Sequence, residues 1–178
     1  MKALQEIGIK KAFKFVFYSI IMVFYSLMLF PQLRVRFLRL FGAKIGNNTI
    51  IHNVKFFNYY RRGLEGLQIG DNCFIGDETL IDLAEAVILE SNVTIAERVM
   101  ILTHTNVGYK DHPLQKYYPP TSGRVRIMEG AFIGANTTIL PSVTILPMTF
   151  VAAMSLVNKD HPGKSVIGGV PAKIIKGL

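Results

Sequence analysis

A chain of 178 residues, half of them apolar, has the length of one principal domain and enough hydrophobic side chains for a sizeable core. A single cysteine excludes an intramolecular disulfide framework and fits a reducing compartment. The net charge of +8 does not point to nucleic acid: eight basic residues against Glu6 place +7 within the first 44 residues, and no basic, aromatic-interleaved pattern follows.

The first element is apolar. Phe15 to Phe30 (FVFYSIIMVFYSLMLF) carries no charge, and Pro31 follows. Sixteen residues rise about 24 Å as a helix, less than the roughly 30 Å hydrocarbon core of a bilayer. The segment therefore spans only if Lys14 snorkels; otherwise it dips into one leaflet and returns. The next stretch, RVRFLRLFGA, alternates basic and apolar residues in the manner of an interfacial helix. Residues 1–44 are expected to be a membrane-associated helical segment, touching the membrane surface through residues 12–44. A helix packed inside an oligomer and a cleaved signal peptide are the other readings, although no small-residue cleavage site precedes Pro31.

From residue 45 the pattern changes to a period of six. Ile45, Ile51, Phe57, Gly63, Ile69, Ile75 and Ile81 keep the step, with only Gly63 lacking an apolar side chain. The phase slips by two near Leu83–Glu85 and resumes at Leu89, Ile95 and Ile101. It breaks over Asn106–Arg124, rich in Pro, Tyr and charge, then runs through Ile127, Ile133, Ile139, Ile145, Val151 and Val157. Small or β-branched residues lie two places before the members of that last run. Six fits neither a lone helix nor a lone strand; it fits a hexad of short strand plus corner, three hexads to a triangular coil, with the aliphatic column on the axis. Sixteen hexads make about five coils. Gly46, Gly70, Gly76 and Gly134 follow column residues and are expected to supply positive φ at tight corners. Cys73, two before Ile75, is expected to fill the core.

A regular scaffold puts function where regularity fails. His104, in ILTHTN at the root of the long loop, falls three places after Ile101 and so near a corner. Its imidazole has the pKa range of a general base. With the two-residue slip corrected, Ile81 and Ile101 sit one coil apart. Asp82 then lies beside Leu102 and within reach of His104, where it would orient the ring; an ordinary corner aspartate is the alternative. Asn106 and His112 are candidates for acceptor contact.

The hexad pattern over residues 45–178, NVTIAERVMILTH before a loop, and the closing GGVPAKIIK together resemble the hexapeptide-repeat acyltransferases, in particular galactoside, maltose and polysaccharide-sugar O-acetyltransferases. The resemblance implies an all-β, left-handed parallel β-helix with a C-terminal tail, assembled as a homotrimer with acetyl-CoA in a groove between subunits. It implies His104 as general base. It maps Ala135 and Ala153 to backbone contacts with the pantetheine arm, and Lys173, Lys176 and, more weakly, Lys159 to the CoA phosphates. The sequence around the histidine reads THTN rather than Gly-His-Pro, which bears on the acceptor. The expected activity is acetyl transfer to a sugar hydroxyl of a surface polysaccharide or lipid-linked glycan precursor, without a metal and without nucleic acid. The apolar segment and a cytosolic thioester together lead to an expected location on the cytoplasmic face of the cell membrane. An amino-sugar N-acyltransferase on the same residues, a non-enzymatic β-helix scaffold subunit, and a metal-dependent hydratase needing three converging histidines are the alternatives.

Overall fold

A computed structural model describes residues 8–178. Two- and three-residue strands separated by corners wind the chain into five stacked triangular coils, whose walls are three parallel sheets. One sheet stacks Ile45, Ile69, Leu89, Ile127 and Ile145 in register. The second stacks Ile51, Ile75, Ile95, Ile133, Val151 and Ile167. The third stacks Phe56, Ile81, Ile101, Ile139 and Val157. These side chains are buried together as one axial core. The residues two places upstream, from Cys73 and Val93 to Thr137 and Ser155, are buried beside them, as the six-residue period predicts. The final strand Lys173–Gly177 returns antiparallel to Ser165–Gly168.

The first coil departs from the expected register. Phe56, not Phe57, is the column residue: it pairs with Ile81 and is buried, while Phe57 is only half-buried. The corner after Ile51 is one residue short, closed by Val54 N–H donating to the His52 carbonyl. Gly63 is not a column position. The thirteen-residue step from Phe56 to Ile69 makes a single corner, enlarged by a helical turn and a 3₁₀ turn that bury Leu64 instead.

The glycines also serve a purpose other than the expected one. Positive φ falls three places after column residues, on Asn48, Asn72, Asn92 and Asn136 at 54–61° and also on Glu78, Arg98, Ser142, Met148 and Met154; asparagine tolerates this conformation better than most residues, and at the other corners the repeat imposes it. Gly46, Gly70, Gly76 and Gly134 are not left-handed. They are there because the next coil comes too close for a Cβ, which at Gly134 would meet the Ala153 backbone nitrogen at 2.5 Å.

Among the described residues three helices cap and flank the prism: α1 (Ile9–Ser26), α2 (Pro31–Leu40) and α3 (Tyr59–Arg62). Helix α1 is apolar on two opposite faces. Tyr18, Ile21, Met22 and Tyr25 pack on the first coil, with the Tyr25 ring 5.7 Å from Phe56. Phe13, Val16, Phe17, Ile20, Val23, Phe24 and Leu27 are exposed along the other face. Among the described residues no helix is long and apolar enough to cross a membrane, so the spanning alternative for Phe15–Phe30 is not met. Lys2 and Glu6, counted in the N-terminal charge, lie outside the described residues.

Candidate active site

The corner that follows the third sheet is irregular in three successive coils. In the first coil it carries the α3 insertion, beginning at Asn58. In the second it is lengthened around the buried Leu83 and Ala84. In the third the chain leaves the prism at His104. There His104–Thr105 pair antiparallel with Thr121–Ser122, closing the base of the long loop before Val125 rejoins the first sheet beside Val87.

Asp82 sits at the centre of this corner and is fully buried. Four donors converge on its carboxylate. One oxygen accepts from Asn58 Nδ2 at 2.8 Å and Ala84 N–H at 3.0 Å; the other accepts from Thr103 N–H at 3.0 Å and faces His104 Nδ1 at 2.5 Å. Burial pushes the carboxyl pKa upward, but the bonds to His104, Asn58, Thr103 and Ala84 outweigh it and hold the group below its ordinary value. The ionised carboxylate can only accept, so the proton shared with His104 belongs on Nδ1. Nε2 is left as the basic ring nitrogen, on a side chain that is 26% exposed. Asp82 and His104 are thus in hydrogen-bonding contact across adjacent coils, and this pair has the geometry of an oriented imidazole base. Asn58 and Thr103 were not legible as its partners.

His104 opens onto a cleft of about 380 Å³. Thr105, Asn106, Lys110 and Gln115 line it from the loop, and Lys11, Tyr60 and Arg61 line it from the helices of the N-terminal half. Asn106 reaches the cleft but spends its Oδ1 on the loop itself, accepting from Gly108 N–H at 3.1 Å and Gln115 Nε2 at 3.0 Å. His112 is exposed and accepts from Leu114 N–H at 3.2 Å, capping the turn Pro113–Lys116.

The candidate CoA residues gather at a different corner, between the second and third sheets. Ala135 and Ala153 stack in consecutive coils, Met154 N–H donating to the Ala135 carbonyl at 2.8 Å. The C-terminal segment lies over the same corner: Leu156 N–H donates to the Gly169 carbonyl and Ala172 N–H to the Leu156 carbonyl. Lys173 follows it directly, and Lys176 stands further along the exposed last strand. Lys159 is not among them; it is exposed on the corner that carries His104, two coils beyond. Ala135 lines a shallow cavity with Asp77, Glu78, Glu97, Arg98 and Asn136, and the exposed Met154 stands at the same corner. Cys73 is buried and points inward, away from both places. His52 pairs with Asp77 and His161 is buried near the fifth coil, so the three-histidine convergence of a hydratase is not formed; no metal-holding group of His, Cys, Asp or Glu occurs among the described residues.

No family model matches the chain. Protein CapG of Staphylococcus aureus is 36% identical over 118 residues, covering 64% of this chain and 67% of that protein. The putative colanic acid biosynthesis acetyltransferase WcaF of Escherichia coli is 29% identical over 150 residues, 82% of this chain and 78% of the other. Galactoside O-acetyltransferase of Escherichia coli is 28% identical over 140 residues, 76% of this chain and 64% of the enzyme. The chain thus spans less than two thirds of that relative, and only 32% of serine acetyltransferase 2 of Arabidopsis thaliana, to which it is 35% identical over 111 residues, 62% of this chain. Two solved structures share the fold: galactoside acetyltransferase in complex with coenzyme A (TM-score 0.81, 24% identity, 96% of this chain and 83% of that one), and a hexapeptide-repeat acetyltransferase of Vibrio cholerae complexed with acetyl coenzyme A (TM-score 0.78, 22%, 90% and 84%).

Proposed function

This chain belongs to the hexapeptide-repeat acyltransferase family, and on that footing we propose that it transfers the acetyl group of acetyl-CoA to a sugar hydroxyl of a surface polysaccharide or its lipid-linked precursor. The observation that carries the reading is the buried, four-donor Asp82 holding His104 at the mouth of a cleft. Acetyl-CoA supplies an activated thioester. His104 Nε2 takes the proton of the acceptor hydroxyl as that oxygen bonds to the acetyl carbonyl carbon, and gives it to the sulfur as the carbon–sulfur bond breaks. Asp82 is a positioning residue: it fixes the Nδ1–H tautomer and favours the imidazolium that forms. Ala135, Ala153, Lys173 and Lys176 would border the coenzyme. In a homotrimer of left-handed β-helices a neighbour's corner would bring that coenzyme to His104. The apolar outer face of the second sheet, with Ile50, Phe74 and the stacked rings of Phe132 and Phe150 at 4.7 Å, supports such an assembly.

The exposed apolar stripe of α1, flanked by Lys10, Lys11 and Lys14, supports attachment in the plane of the membrane on its cytoplasmic face. His104→Ala should lower turnover on the order of 10²–10⁴-fold, with little change in the Michaelis constant for acetyl-CoA. Near-normal activity in His104→Ala with loss in His112→Ala would move the base into the loop and end the assignment.

A further inference from the structure

The cleft before His104 holds charge that the acetyl transfer does not use. Lys11 from α1, Arg61 from α3 and Lys110 from the loop all line it, and among the described residues no carboxylate does. None of the three is in an ion pair among the described residues, whereas the adjacent Arg62 is held by Glu85 at 2.9 Å. Asp82 offers them nothing, being buried behind His104 with all four donors in place. The three cations come from segments far apart in sequence, so no local turn or helix accounts for their meeting. Like charges gathered without a counter-charge raise the local potential, and an anion of charge two or more relieves it. A guanidinium and two ammonium groups match phosphate oxygens, the first as a planar fork and the others as point charges.

We propose that Lys11, Arg61 and Lys110 form a diphosphate-binding subsite for the acceptor, so that the sugar reaching His104 carries a diphosphate ester. This rests on the acetyl-transfer reading. Two acceptors share the chemistry: a soluble nucleoside-diphosphate sugar and a sugar on a polyprenyl diphosphate carrier. The second would approach from the surface on which α1 lies.

The test titrates pyrophosphate into the full-length protein saturated with CoA, so that the coenzyme's own phosphate contacts are already occupied. The wild type should bind it, and Lys11→Gln/Arg61→Gln/Lys110→Gln should weaken binding on the order of tenfold or more, a loss that grows smaller in high salt, while CoA affinity stays as in the wild type. No binding in the presence of CoA, or equal binding by the variant, overturns the proposal. A variant whose CoA affinity falls in step would also overturn it, because the cations would then serve the coenzyme. Uridine diphosphate and farnesyl diphosphate are then compared: tighter binding of the first assigns the soluble acceptor, and of the second the lipid-linked one. A protein that binds no CoA would end the acetyl-transfer reading, and the same titration without CoA would still decide whether the subsite exists.

Discussion

Replacing Asp82 by Asn tests the site with almost no change of volume. The carboxylate meets four donors, two on each oxygen, with no water-exposed surface. An amide has one accepting oxygen, so its NH₂ must face either the Asn58 and Ala84 donors or those of Thr103 and His104. Leaving two buried donors unmatched costs about 1–3 kcal/mol each, giving a loss of about 2–6 kcal/mol at neutral pH. The NH₂ is tolerated opposite His104 only if the ring carries its proton on Nε2, which removes the base from the cleft. Turnover should therefore fall on the order of tenfold to 10³-fold, less than for His104→Ala, with the acetyl-CoA Michaelis constant nearly unchanged. The stability loss has a signed pH dependence. The Asp82 pKa is lowered on folding, so its contribution is present above the unfolded value near 3.9 and is lost as pH falls through the folded value. The gap in melting temperature between wild type and Asp82→Asn should be widest near neutrality and narrow below about pH 4. Stopped or continuous thiol-release kinetics and thermal melts at several pH values read both effects. An Asn variant with wild-type turnover and an unchanged melt would refute the reasoning about the four-donor carboxylate.

The remaining predictions concern the scaffold and its surfaces. Ile139 is fully buried in the third sheet, so Ile139→Asp would bury an unpaired charge at a cost of several kcal/mol and abolish the soluble folded protein, read by circular dichroism and size exclusion. Gly134→Ala sets a methyl 2.5 Å from the Ala153 nitrogen and should lower stability by about 1–3 kcal/mol, whereas Asn136→Gly at the left-handed corner should stay within about 0.5 kcal/mol of wild type; similar melts for the two would contradict the close-approach argument. Phe150→Lys on the outer face of the second sheet should shift the detergent-corrected mass from trimer toward monomer and lower activity with it. Phe17→Glu with Phe24→Glu, both on the exposed face of α1, should reduce co-sedimentation with anionic vesicles; unchanged pelleting would defeat membrane attachment.

The axial column was legible because each rung asks the same thing of the sequence, an aliphatic side chain every sixth place. The register of the first coil is not legible because Phe56 and Phe57 are equally apolar, and only pairing with Ile81 separates them. The twelve-residue step from Phe57 to Ile69 also mimics two hexads while forming one enlarged corner. The glycines mark corners but not their cause: spacing shows where a corner falls, and only the neighbouring coil shows which atom would collide. Three irregularities stood out or lay hidden separately in the sequence: the corner beginning at Asn58, the two-residue slip after Asp82, and the departure at His104. In the prism they occupy one edge in three consecutive coils, and there they make a single object. Asn58 and Thr103 hold the carboxylate, the carboxylate holds the imidazole, and the α3 insertion and the loop wall the cleft. Had the insertions merely been tolerated, they would be free to fall at any of the three edges. Their stacking on one edge, around a buried charge that a scaffold has no use for, is the physical argument that the breaks in the repeat were kept for chemistry.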